Sequence, residues 1–260
     1  MRMLKGIKEY LFIRKKRLKQ SFFKLIRNIK RSLSKKQMIN SENCFNVPII
    51  INNRNRYTFL KLMIEQLTSF GYKHIYILDN DSTYPPLLEY YKTVSAQVIF
   101  LGRNVGYKAL WETEVFEQFK KQYYVYTDPD ILMQKDCPSD FVYHLYKALN
   151  QYPMVEKAGV ALKIDDLPDS YLFKREAIEN EKLFWQNKLD TDIYDAQVDT
   201  TLALYKPFAF GIAEECKAIR VAGKLTAQHL TWYLDTNHLS EEELYYKQSI
   251  KSNSSVYSVK

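Results

Sequence analysis

From residue 45 onward the chain alternates short apolar runs with longer stretches of helical period, and this alternation restricts the fold more than any other feature. Residues 47–51 (Val-Pro-Ile-Ile-Ile) predict a buried strand, and 52–56 the loop after it. Residues 57–70 put Leu60, Met63, Ile64, Leu67 and Phe70 on one helical face, with Gly71 just past the end. A strand over 74–78, a helix opened by Pro85-Pro86, a strand over 97–101, a helix over 109–119 and a strand over 123–127 continue the pattern. Strands separated by helices need crossover connections, so the expectation is an α/β fold: a mostly parallel sheet with helices on both faces. Later the order loosens into helix 139–150, strand 159–164 ending in Asp165-Asp166, an aromatic-rich helical region 171–189, and strand 200–205 behind Asp199.

Sheets of this kind bind ligands at the carboxyl ends of their strands. Here those ends read Asn52-Asn53-Arg54, then Asp79-Asn80-Asp81-Ser82, then 102–108 with Arg103, Asn104, Gly106 and Lys108, then Asp128-Pro129-Asp130. Pro129 locks its own φ and biases Asp128 towards an extended conformation, so the two acids, two residues apart, share a side. Paired carboxylates at a strand end suit a hard divalent cation, Mn2+ or Mg2+, which shares its shell with phosphate oxygens. Asp-Pro-Asp is also ordinary turn composition, as is each of the other loops taken singly. Four such ends on one rim point to a binding site. Asp79 would accept from a base or ribose, Gly106 would allow close backbone approach, and Lys108 and Arg103 would meet phosphates.

Charge is unevenly spread. The net value is +8, yet residues 1–36 hold 14 Lys and Arg against the single acid Glu9, leaving 24 basic and 29 acidic side chains beyond them. Within that basic stretch Leu4, Ile7, Leu11, Leu18, Phe22, Leu25, Ile29 and Leu33 recur at helical spacing, so one face of a long helix is apolar and the rest cationic. An anionic membrane surface is the expected partner, with packing on the chain's own domain or an oligomer as the second reading. Nucleic acid is not expected, because Phe22 and Phe23 lie in the apolar stripe and form no stacking platform. Residues 34–44 read as a linker, giving a helix-and-linker segment 1–44, a catalytic-sized domain 45–240 and a polar tail 241–260. No apolar run reaches the roughly 18 residues of a membrane span, and no signal-peptide apolar core is evident. Cys44, Cys137 and Cys216 lie far apart, which argues against a disulfide framework or zinc site. The expected location is cytoplasmic, peripheral on the inner face of the membrane.

Over residues 45 to about 235 these motifs resemble a family 2 glycosyltransferase of the GT-A fold, of the bacterial kind found with cell-surface polysaccharide synthesis. The carriers are Val47-Pro48-Ile49-Ile50-Ile51 with Asn52-Asn53-Arg54, then Leu78-Asp79-Asn80, Asn104-Val105-Gly106, the D-x-D of Asp128 and Asp130, and His229-Leu230-Thr231-Trp232-Tyr233. The resemblance implies that Asn52, Arg54, Asp79, Asn80 and Asn104 surround the nucleoside of a nucleotide-sugar donor. It implies that Asp128 and Asp130 contact the ribose and the metal, and that His229 completes the metal shell. The implied acceptor is a glycan or lipid-linked hydroxyl, and the transfer inverting. A Glu-Asp pair opening an acceptor-binding helix, common in that family, is missing; Asp165, Asp166, Asp199, Glu214 and Glu215 are the candidates for the proton acceptor, with Asp199 preferred from its place between the acid pair and His229. Two other classes stand beside this one. A sugar nucleotidyltransferase should carry a Gly-rich phosphate loop after its first strand, where this chain has Asn52-Asn53-Arg54-Asn55-Arg56; a non-catalytic membrane-surface adaptor would need no acids at all.

Overall fold

The computed structural model describes residue 22 and residues 25–34, 37–212 and 216–250. Most of the basic stretch 1–36, Glu214 and Glu215, and the last ten residues therefore lie outside the described residues. The strands are β1 Ile49–Asn53, β2 Ile75–Asp79, β3 Gln97–Phe100, β4 Tyr124–Thr127, β5 Ile131–Met133, β6 Lys157–Val160, β7 Lys188–Asp190, β8 Ile193–Tyr194, β9 Ala203–Tyr205, β10 Ala218–Val221 and β11 Ala227–His229. The helices from residue 45 on are α1 Thr58–Phe70, α2 Pro85–Tyr90, α3 Phe116–Phe119, α4 Phe141–Gln151, α5 Lys174–Lys182 and α6 Glu241–Ser249. Among the described residues one nine-stranded sheet has the order β3-β2-β1-β4-β9-β6-β10-β8-β7, and β11 pairs with β5 in a ribbon.

The expected α/β architecture is present, and the parallel character is confined to part of the sheet. β3, β2, β1 and β4 are parallel neighbours, as are β6 and β10. β9, inserted between β4 and β6, is antiparallel to both. Both faces are covered: Ile49 and Ile51 of β1 and Val125 of β4 enter one core cluster, while Ile50, Tyr124 and Tyr126 enter the other. A strand buried on both sides must be apolar at consecutive positions, which is why these segments stand out as unbroken runs.

Three expected elements differ. Residues 109–119 are helical only over α3; before it the chain runs through successive turns, because Ala109 and Leu110 are both buried and Trp111 donates its indole N–H to the Tyr124 hydroxyl at 3.0 Å. Consecutive inward residues do not fit one face of a surface helix. The region 171–189 is helical through α5 and a short 3-10 turn, then forms the β7–β8 hairpin. The strand expected at 159–164 begins earlier, at Lys157, a fully buried cation that apolar patterning passes over.

The polar segment from 241, read as a tail, begins with helix α6 docked on the loops that follow β1 and β2. Ser240 caps it by accepting from the Glu243 N–H, an S-x-x-E arrangement. Glu242 reaches across to α1, accepting from the N–H groups of Tyr57 and Thr58 and from the Thr58 hydroxyl at 2.7, 3.1 and 2.6 Å. It thus satisfies the free N–H groups at the start of α1, where Tyr57 makes no side-chain cap of its own. Glu243 pairs with Arg56 in the interior, and the Arg56 guanidinium lies 3.6 Å from the centre of the Tyr246 ring. Glu243→Ala removes the carboxylate that Arg56 meets in the interior and is expected to lower stability, measurable as a lowered urea midpoint.

Candidate active site

The rim is built where the strand order reverses. From β1 the chain steps outward to β2 and β3, then returns to β4 on the other side of β1, so a crevice opens beyond the carboxyl ends of β1 and β4. All four expected rim segments meet at this edge, with more internal bonding than their loop composition suggests. Asp79 is buried and uses both carboxylate oxygens internally, accepting the Tyr91 hydroxyl at 2.8 Å and the Ser82 N–H at 3.1 Å. Asn80 accepts the Val105 N–H at 2.6 Å and donates to the Gly106 carbonyl at 2.8 Å, and Asn52 donates to the same carbonyl at 3.3 Å. These asparagines hold the 102–108 loop against the sheet. Gly106 has φ +87° with nothing within 4 Å of a built Cβ, so the turn conformation is what requires glycine there. Asn104 accepts the Gly106 N–H at 3.0 Å, and Tyr126 donates its hydroxyl to the Tyr107 carbonyl at 2.8 Å.

Arg103 and Asn104 are exposed, and Arg103 lines an open cleft with Phe100, Trp111 and Phe116 that includes neither acid of the D-x-D. Lys108 lies 6.0 Å from the centre of the Tyr107 ring. Arg54 is held by α6, donating to the carbonyl of Ser249 at 3.0 Å. Among the described residues, Asn52 Oδ1, Asn53 Oδ1, Asp130 Oδ1 and Arg54 Nε on the rim are buried polar atoms without a hydrogen-bond partner.

The acid pair lies between β4 and β5. Asp128 is half-buried; its N–H donates to the Thr200 carbonyl at 3.0 Å, and its Oδ2 accepts the Thr200 hydroxyl at 2.5 Å. Burial, with Asp130 adding to it, pushes the Asp128 carboxyl well above the usual carboxylate range. Asp130 is placed by the β5–β11 ribbon, in which His229 stands opposite Ile131. The Leu230 N–H donates to the Asp130 carbonyl at 2.7 Å, and His229 Nε2 lies 3.6 Å from Asp130 Oδ2. His229 Nδ1 meets the Thr231 hydroxyl at 2.5 Å, which orients the ring and leaves Nε2 facing the acid. Burial pushes the imidazole below its ordinary value, against the pull of Asp130, so the neutral form is favoured.

These residues fit a hard divalent cation. Two carboxylates crowd together, one buried oxygen has no partner, and a neutral imidazole nitrogen faces the same acid; each is a deficit that a cation removes. Among the described residues no three His, Cys, Asp or Glu side chains form a ready cage.

Of the candidate proton acceptors, Glu214 and Glu215 fall outside the described residues. Asp166 is engaged by Lys163 at 2.8 Å and by the Tyr233 hydroxyl at 2.5 Å, and Asp165 stands 3.8 Å from the same lysine. Asp199 is exposed and near enough to Asp128 to raise its pKa. It precedes β9 in a loop and does not open the strand. That loop rests on Lys157, whose Nζ donates to the Asp199 carbonyl at 3.2 Å, the Tyr205 hydroxyl at 3.0 Å and the Gly211 carbonyl at 3.3 Å. Burial pulls the Lys157 ammonium down to about 8.

Reading the sequence alone missed Thr200, Lys157 and the stacked Arg56 and Tyr246: the Arg56 charge helps lower the His229 imidazole, and the two acids help raise the Tyr246 hydroxyl. Ser240-Glu241-Glu242-Glu243 was the available signal for α6; nothing local marked Lys157 or Thr200.

No protein-family model matches the chain, and no curated protein matches it in sequence. Solved structures that resemble it include a cytidylyltransferase from Leptospira borgpetersenii serovar Hardjo-bovis, at 14% identity and a TM-score of 0.33, covering 47% of this chain and 56% of that one. Another is GalNAc-T7 with UDP, GalNAc and Mn2+, at 12% identity and a TM-score of 0.42, covering 71% of this chain and 43% of that one. The match therefore spans less than two thirds of either structure.

Proposed function

We propose that this protein is a glycosyltransferase that moves a sugar from a nucleotide-sugar donor to a hydroxyl of a glycan or lipid-linked acceptor, with inversion, using Mn2+ or Mg2+. The observation that carries the reading is the set of unpartnered buried polar atoms on Asn52, Asn53, Arg54 and Asp130 at the strand-order reversal, beside a crowded acid pair. Acceptors for a base or ribose, a cation-binding acid and a guanidinium N–H along one edge of the sheet suit a nucleoside diphosphate.

In this reading Asn52 and Arg54 receive the nucleoside, with Asp79, Asn80 and Asn104 shaping the loops around it. Asp128 meets the ribose, Asp130 and His229 hold the cation, and Lys108 approaches the diphosphate, whereas Arg103 lines the neighbouring cleft and is left out of the donor site. A divalent cation bound there supplies charge neutralisation for the departing diphosphate. As the anomeric carbon–oxygen bond breaks, Asp199 takes the proton from the attacking hydroxyl, which then bonds to the anomeric carbon. Lys157 keeps the Asp199 loop in place.

A sugar nucleotidyltransferase is disfavoured by the loop after β1, whose Asn55, at φ 53°, uses its side chain to accept the N–H groups of Thr83 and Tyr84. That loop is closed on the protein and offers no glycine nest for a triphosphate. The test is a panel of nucleotide sugars with Mn2+, monitored for release of nucleoside diphosphate. At least one donor is expected to turn over and to stop on chelation. Absence of both turnover and calorimetric binding of any nucleoside diphosphate with Mn2+ would return the protein to a non-catalytic adaptor role.

A further inference from the structure

The helical residues 25–33 are held to the domain by their arginines, with Leu25, Ile29 and Leu33 outward and Ile26 half-buried. Glu156 is buried just before β6, at the amino-terminal edge of the sheet, and receives Arg31 Nη2 at 2.5 Å and Nη1 at 3.3 Å, with Arg27 Nε at 3.9 Å. Arg31 Nε also donates to the Pro207 carbonyl at 2.6 Å. Arg27 lies 5.5 Å from the centre of the Phe210 ring, and Lys30 5.9 Å from that of Phe208. Arg27 and Arg31 are one helical turn apart. Leu25, Ile29 and Leu33, also a turn apart, fall on the opposite side of the wheel and are 57, 49 and 82% exposed. A helix that turns Arg27 and Arg31 inward and presents Leu25, Ile29 and Leu33 reverses the usual preference, and the buried Glu156 explains how that is held.

We propose that this two-arginine clamp turns the N-terminal helix into a docking surface for an anionic lipid bilayer. Charge selects this occupant over a second copy of the chain: residues 1–36 carry 14 Lys and Arg, so a symmetric pairing would press two strongly cationic segments together. An anionic bilayer accepts the apolar stripe at its acyl boundary and the flanking lysines among its headgroups. The remainder of the chain is net acidic, so contact through any other face is less favourable.

The clamp also sets the orientation of the domain. It grips the amino-terminal edge of the sheet, while the acid pair lies at the carboxyl edge, beyond the four-residue strand β4, about 13 Å long. The rim therefore faces away from the edge that carries the helix. Donor reaches it from solution, and an acceptor anchored in the bilayer must extend out from the surface.

The docking surface does not depend on the transferase reading, and its test uses no activity. The full chain is sedimented with vesicles of phosphatidylcholine alone or mixed with phosphatidylglycerol. Binding is expected only to the mixed vesicles and to weaken in high salt. The triple variant Leu25→Asp, Ile29→Asp, Leu33→Asp is expected to bind at least about tenfold more weakly with its melting temperature unchanged. Equal binding of both vesicle types, undiminished binding of the triple variant, or a wild-type dimer that the variant dissociates would overturn the proposal. Glu156→Gln is expected to raise hydrogen exchange across residues 25–34; unchanged exchange there would show that the clamp does not hold the helix.

Discussion

Replacing Asp130 with Ala or Asn is expected to abolish turnover, to below about one part in 10³, and to stabilise the protein measured without metal. Both effects have one origin. Asp130 is buried, one of its oxygens has no partner, and its charge helps push the Asp128 carboxyl upward, so in the absence of a cation the two acids destabilise each other. Asp130→Asn removes the repulsion while preserving volume, and the gain should be on the order of 1 kcal/mol. Mn2+ should raise the melting temperature of the parent protein and leave that of the variant unchanged. The backbone carbonyl of Asp130, which accepts from Leu230, is untouched, so β5 and β11 should stay paired. Full activity in chelator-treated protein, or in the variant, would remove the cation from the mechanism.

Asp199→Asn is expected to reduce the turnover number by about 10²- to 10⁴-fold while donor affinity changes little. The amide preserves shape and the Lys157 contact, which is to the Asp199 backbone carbonyl, so the loss reports the carboxylate alone. Single-turnover measurement with saturating donor separates the chemical step from binding. If the variant turns over normally while Asp165→Asn or Asp166→Asn collapses, the proton acceptor is the earlier pair. Of that pair Asp166 is engaged by Lys163 and Tyr233, and Asp165 stands 3.8 Å from the same lysine.

Asp79 shows how far local chemistry carries. Its place at the end of β2 follows from the apolar run before it, and so do those of Asn52 and Asp128 at the ends of β1 and β4. What Asp79 does with its carboxylate depends on Tyr91, twelve residues on, which makes it an anchor for a turn. Asn80 is similar: a rim position by sequence, a brace for the 102–108 loop by contact. Gly106 read as a position of close backbone approach, whereas nothing lies within 4 Å of a Cβ built there and its φ of +87° is what calls for glycine.

The sequence by itself determined the alternation of strand and helix, the arrival of four polar strand ends on one edge, and the cationic amphipathic character of residues 1–36, because each follows from side-chain periodicity and backbone preference within a few residues. Tertiary structure alone decided that His229 faces Asp130 across a two-stranded ribbon, that Lys157 lies beneath the Asp199 loop, and that Glu242 of α6 caps α1 while Glu243 pairs with Arg56. It also decided which face of residues 25–33 turns outward. Each of these joins residues dozens to nearly two hundred positions apart, and a buried charge finds its partner by proximity in the folded chain, which no local pattern encodes.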